Sequence, residues 1–206
     1  MYHISDVKKY TRCARLYVNE KHAPKREYQP FIRLDEEVTS LVAQKLHIED
    51  HYFLGHKGDD PSAAKQAMKS AEWLMKARFE YRQLRVKVPF LHQTDKGWDL
   101  YFLFIGLYPH ADDMQFYCDE VWVLENNHIK IDQIYIIHLN AEYIREKELD
   151  PSALFVISDC FYNGTNHPSV KVKDAIYKSK RDLTHVLNEM DQLQEAYAFL
   201  NSSEQL

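Results

Sequence analysis

The sequence predicts an α/β layered domain, and three observations carry that prediction. Helical apolar spacing dominates up to residue 79. Alternating and continuously apolar segments follow between Glu80 and Asp159, and helical spacing returns from Pro168 to Leu200. At 206 residues the chain has the size of one ordinary domain with a single core. Residues 1–206 therefore read as one unit: a mainly helical part over 1–79, a sheet core over 80–160 and a long helix over 168–200. The sheet is expected to be central and mixed, with about 4–5 strands flanked by helices.

Each element has its own signal. Ser5 and Asp6 supply an N-cap and a first-turn acid, after which Val7, Tyr10, Ala14, Tyr17 and Val18 fall on one helical face. His22-Ala23-Pro24 ends that helix. Leu34, Val38, Leu41, Val42 and Leu46 predict a second helix over 34–46. Residues 49–60, with Gly55 and Gly58, read as a loop. Asp60-Pro61 opens a third helix through SAAKQAMKSAEWLMKARF, since Asp caps and Pro is preorganised for the first position.

Alternation from Glu80 to Leu91, the turn Thr94-Asp95-Lys96-Gly97 and the apolar run Trp98–Tyr108 predict a β-hairpin. Its second strand is apolar enough for burial on both faces. Asp112 and Asp113 start a helix that closes near Asn126-Asn127. IDQIYIIHLN and ALFVISD follow as strands, so the passage Trp98–Asn140 fits a right-handed parallel crossover. The closing helix carries an apolar stripe of Val172, Ile176, Leu183, Val186, Leu187, Met190 and Leu193.

Composition narrows the function classes. Five Gly leave little for a phosphate-cradling loop, and neither GxGxxG nor GxxxxGK[ST] occurs. A net charge of −5 argues against a protein whose main work is coating nucleic acid. Two basic clusters still qualify as nucleic-acid contacts: Lys8, Lys9, Arg12 and Arg15, then Arg78, Arg82, Arg85 and Lys87. Tyr10 and Tyr17 are available to stack on bases. A solvated face is the plainer reading of both clusters. The N-terminal MYHISDVKKY lacks an apolar signal core, and LYFLFIGLY is too short to span a bilayer. A cytoplasmic protein with no membrane partner is expected.

Metal and nucleophile signals are sparse. Cys13, Cys118 and Cys160 form no CxxC pair, so they read as free thiols in a reducing compartment. His47 and His51 stand four apart, but Gly55 and Gly58 put them beside a loop. His51 and His56 lack further ligands, and His138 reads as a satisfied core or edge histidine in its strand. There is no HExxH and no recognisable Ser–His–Asp arrangement.

The order and spacing of ISDVKKYTRCARLYVNEKHAP, DKGWDLY and QIYIIHLNAEYIREKELDPSALFVISD resemble the RecB-like branch of the PD-(D/E)XK nuclease superfamily. Its members include bacterial RecB-like nucleases and CRISPR-associated RecB-type exonucleases. The resemblance covers roughly residues 3–160 and implies a restriction-endonuclease-like core. In active members, an Asp on the first hairpin strand and a Glu-x-Lys on the second hold Mg²⁺ or Mn²⁺ and activate water. Here the Asp slot falls on or beside Pro89, and the Glu-x-Lys slot falls on Phe102-Leu103-Phe104. The Gln and Tyr of the family's next helix correspond to Glu120 and to Trp122 or Val123. Glu36 or Glu37 matches an acid on the second helix. Cys13 matches the first ligand of an iron–sulfur cluster found in several relatives. The other three ligands have no counterpart in FYNGTNHPSVKVKDAIYKS, so no cluster is expected.

The expectation is a catalytically inactive nuclease-like domain with no cofactor, serving as a binding or structural module in DNA or RNA metabolism or in defence against phage and mobile elements. Its partner would be another protein, or a second copy through the closing helix. One alternative is an active Mg²⁺- or Mn²⁺-dependent nuclease with relocated carboxylates drawn from Glu37, Asp95, Asp99, Asp112, Asp113 and Glu120. Another is a non-cleaving nucleic-acid binder that uses Lys8, Lys9, Arg12, Arg15, Arg82, Arg85 and Lys87.

Overall fold

The computed structural model describes residues 1–23 and 31–203. Pro24 and the side chains of Leu34 and Asp113 lie outside the described residues. The elements run β1 (Tyr2–His3), α1 (Ile4–Arg12), α2 (Ala14–His22), α3 (Phe31–Lys45), β2 (Tyr52–Leu54) and α4 (Pro61–Ala67). Next come β3 (Trp73–Tyr81), β4 (Leu84–Thr94), β5 (Gly97–Leu103), α5 (Met114–Asn126) and β6 (Ile131–Leu139). The last are α6 (Pro151–Leu154), β7 (Phe155–Ser158), β8 (Cys160–Tyr162), β9 (Pro168–Lys171), α7 (Val172–Ser179) and α8 (Thr184–Ser203).

Seven strands form one mixed sheet in the order β2-β3-β4-β5-β6-β7, with β1 paired to β4 beside this path. The strand count exceeds the four or five expected because β1 and β2 are too short to leave a pattern in the sequence and β3 lies in a segment of helical spacing. The meander β3-β4-β5 is antiparallel, and β6 runs parallel to β5 after the α5 crossover. β7 closes that side antiparallel to β6. Arg82 and Gln83 join β3 to β4 with φ of +46° and +65°, left-handed values suited to a two-residue hairpin turn. β8 and β9 form a separate hairpin.

The sheet is covered on both faces. On one, Leu74, Phe79, Leu91, Leu100, Phe102 and Ile136 pack beneath α1, α5, α7 and α8. On the other, Trp73, Met75, Phe90 and Ile137 pack against Val42 of α3 and Leu154 of α6. Each large apolar side chain so buried contributes about 1.5–3 kcal/mol. Among the described residues no helix is long and apolar enough to cross a membrane.

Several boundaries differ from the sequence reading. The third helix stops at Ala67, and Trp73–Tyr81 is a strand between β2 and β4. Burial on both sheet faces overrides the local helix propensity of that segment. The first helix breaks at Cys13, whose φ of −164° is extended. The presumed loop 49–60 contains β2. The apolar run 98–108 leaves the sheet after Leu103. The single closing helix is instead β9, α7 and α8, and the extended Lys180 interrupts its stripe.

Candidate functional site

Three of the slots singled out by the resemblance, Pro89, Phe102 and Glu120, share one cleft, whereas Phe104, Glu36, Glu37, Trp122 and Val123 do not line it. Pro89 of β4, Phe102 of β5, Phe116, Tyr117 and Glu120 of α5, and Lys8 of α1 line one cleft of about 270 Å³. Strand β4 supplies Pro89 at an irregular point. The β3–β4 register skips the Lys76–Pro89 pair, because proline has no N–H to donate and Lys76 adopts φ +51°. Phe102 is 2% exposed, and its ring lies 4.3 Å from that of Tyr117, tilted by 35°. Tyr117 in turn stacks on Phe161 at 6.3 Å. Phe104 lies one residue beyond β5, half-buried against the same core, with its N–H donating to the Ile137 carbonyl at 2.9 Å. The cleft floor is therefore an aromatic stack.

Glu120 is the acid of this cleft. Burial pushes its carboxyl up to about 8, the neighbouring Asp119 adds to the rise, and the Lys87 ammonium offsets part of it. Lys87 itself reaches Asp35 of α3 at 3.3 Å, and Lys76 holds the same carboxylate at 2.8 Å. Lys8 lies over the Phe116 ring, 4.5 Å from its centroid. A largely protonated carboxyl among rings can donate one hydrogen bond, but it is a poor ligand for a divalent cation.

The other candidate acids stand elsewhere. Asp95 is exposed in the β4–β5 turn. Asp99 accepts the Gln133 backbone N–H at 3.0 Å and pairs across the sheet with His92, on the face opposite Phe102. Burial raises its pKa, and the Gln133 hydrogen bond opposes the rise. Asp112 is exposed in a short 3₁₀ turn and lines a different cavity, and Glu37 is exposed on α3. Among the described residues no three His, Cys, Asp or Glu side chains group as metal ligands. Cys13 is exposed, Cys118 buried and Cys160 half-buried.

Most of the basic candidates have structural duties. Lys9 pairs with Glu20 at 2.6 Å. Arg78 donates to the Lys76 carbonyl at 2.6 Å, and burial lowers its pKa. Arg85 donates to the Asp59 carbonyl and lies 3.9 Å from Glu80. Arg82 packs on the Tyr81 ring, while Arg15 is exposed. Tyr17 is 1% exposed, and Tyr10 meets it edge-on at 6.1 Å while donating its hydroxyl to Glu189 at 3.1 Å. Both tyrosines belong to the packing between α1, α2 and α8, so neither offers a free stacking surface.

Two clusters had no sequence signal. His138 is 3% exposed: its Nδ1 faces the Leu139 carbonyl at 3.0 Å and its Nε2 meets the Ser158 hydroxyl at 2.7 Å. Tyr162 closes the network at 2.9 Å from Ser158. With Nδ1–H donating to the carbonyl, Nε2 accepts from Ser158, and every partner is satisfied. His138, Ser158 and Tyr162 meet only because β6, β7 and β8 are neighbours. The second cluster joins Asp119 of α5, 3% exposed and bonded by Gln115 at 2.8 Å, to Arg181 between α7 and α8. No periodicity in the sequence links these two positions. No protein-family model matches the chain, and neither a curated protein nor a solved structure matches it.

Proposed function

We propose that this chain is a nuclease-like domain without nuclease chemistry, used as a binding or structural module. The observation that carries the reading is the cleft formed by Pro89, Phe102, Tyr117 and Glu120. Its location agrees with the metal cleft expected from the resemblance, and its lining is apolar apart from Glu120 and Lys8. The order meander, helix, parallel strand over β3-β4-β5-α5-β6 supports the same reading.

General acid–base work on a phosphodiester needs several groups within hydrogen-bond reach of one reacting centre. Relocated carboxylates have no such support, since Asp95, Asp99, Asp112 and Glu120 occupy separate surroundings. The partner class consistent with this reading is another protein or a second copy of the chain.

The test is a cleavage assay on single- and double-stranded DNA and RNA with Mg²⁺ or Mn²⁺. No cleavage above the protein-free control is expected. Robust cleavage that Asp99→Ala or Glu120→Ala abolishes would sink the proposal.

A further inference from the structure

A second cavity, of about 220 Å³, lies on the other side of Lys8 and Phe116 from the aromatic cleft. Residues from α1, α5, the 3₁₀ turn and the α7–α8 junction line it. The volume exceeds the roughly 30 Å³ share of a single water. Arg181 reaches it from the junction. Its Nε is shielded from solvent without a hydrogen-bond partner, while its charge acts on the Asp119 carboxyl at the same cavity. A guanidinium N–H so shielded is costly unless something accepts from it. Arg12 lines the same cavity and forms no ion pair among the described residues.

The charges set the kind of ligand. Three cations, Lys8, Arg12 and Arg181, face two carboxylates, Asp112 and Asp119. Burial raises the Asp119 pKa, the Gln115 hydrogen bond and the Arg181 charge oppose the rise, and Gln115 occupies one of the carboxyl oxygens. A lining with more cations than carboxylates suits an anion. The exposed Asp112 at the same cavity disfavours a polyphosphate. Guanidinium forks match the planar pairs of oxygens that phosphate presents. Ile4 and Phe116 supply an apolar wall beside the cations.

We propose that this cavity binds a phosphate monoester, held by Arg181 and Arg12 with Lys8 and the Thr11 hydroxyl as further donors. Ile4 and Phe116 cover the body of the molecule. The inference stands on these residues and does not depend on the nuclease-like reading. The same phosphate group occurs on a free mononucleotide and at the 5′ end of a nucleic-acid strand.

Isothermal titration of the full chain at low salt tests the proposal with inorganic phosphate, adenosine 5′-monophosphate, adenosine, and a tetranucleotide with or without a 5′ phosphate. Phosphate and the monophosphate are expected to bind saturably, and adenosine is not. Preference for the 5′-phosphorylated tetranucleotide over the mononucleotide assigns the group to a strand end, and the reverse preference assigns it to a free metabolite. Arg181→Gln should weaken binding about ten-fold or more, the loss expected for hydrogen bonds to a charged group. Should Arg181→Gln fail to fold, the exposed Arg12→Gln carries the same comparison. Absence of saturable phosphate binding, which would leave water as the acceptor, overturns the proposal. So does binding that both folded variants leave unchanged, and so does equal binding of adenosine and its monophosphate.

Discussion

Replacing Glu120 with glutamine should make the protein more stable at neutral pH, and only there. The carboxyl has an ordinary value of 4.5 and is pushed up to about 8 in the folded state, chiefly by burial. An unfolded chain therefore releases this proton near 4.5, while the folded protein keeps it until near 8. Over that window the folded state binds more protons, so stability is full below 4.5 and is lost as pH rises through about 8. At about 1.4 kcal/mol per pH unit, the loss by neutral pH has a ceiling of about 3 kcal/mol. Glu120 keeps partial solvent contact at the cleft mouth, which reduces the figure to about 1–2 kcal/mol. Glutamine keeps the shape of the protonated acid and does not titrate. Glu120→Gln should thus raise Tm by about 2–8 °C near neutral pH and leave it almost unchanged at about pH 4. Differential scanning calorimetry of both proteins across this range gives the comparison. A Tm difference that stays constant with pH would refute the reasoning, since it would mean that Glu120 titrates as a solvated acid.

Two further outcomes follow from the packing around the cleft and the sheet edge. Phe102→Ala should cost about 3–5 kcal/mol in urea unfolding at unchanged m-value, as expected for an emptied aromatic site in a closed core. A loss below about 1 kcal/mol would show that the ring does not fill the cleft floor. His138 has its pKa lowered from 6.5, mainly by burial. Its ring should therefore remain neutral by ¹⁵N NMR at a pH where free histidine is half charged. Its contribution to stability is present above 6.5 and is lost as pH falls through the lowered value. Titration at or above 6.5 would contradict the buried Ser158–His138–Tyr162 network.

The hairpin and the α5 crossover were legible because their signals are local. Thr94-Asp95-Lys96-Gly97 marks a turn, and the continuous Ile and Tyr content of β6 marks a central strand. β3 was not legible, because Ala64, Met68, Ala71 and Met75 keep helical spacing through a run of good helix formers. Pairing with β2 and β4 makes Trp73–Tyr81 extended, and the Arg82-Gln83 turn that brings β4 back lacks the Gly or Asn that would have marked it. The break near Arg181 was hidden for a related reason. Val172, Ile176, Leu183 and Leu187 fit one stripe, yet Lys180 turns extended between them with ψ 136°. The location of the aromatic cleft was expected only through the family resemblance, which put its slots on Pro89, Phe102 and Phe104. Its neighbour could not be anticipated, because Arg12, Asp119 and Arg181 meet only after α1, α5 and the α7–α8 junction have packed.

Three side-chain contacts tie the first elements to α8. The Tyr2 hydroxyl donates to Asp191 at 2.6 Å, Tyr10 donates to Glu189, and His22 stacks on Tyr197 at 4.1 Å. During vectorial synthesis, β1, α1 and α2 leave the ribosome long before the helix that receives them. Until α8 arrives, Tyr2, Tyr10 and Tyr17 lack part of their cover, and contacts this distant in sequence carry a large loop-closure cost. The N-terminal helices thus keep part of their apolar surface open during that interval, and α8 is the helix that closes it.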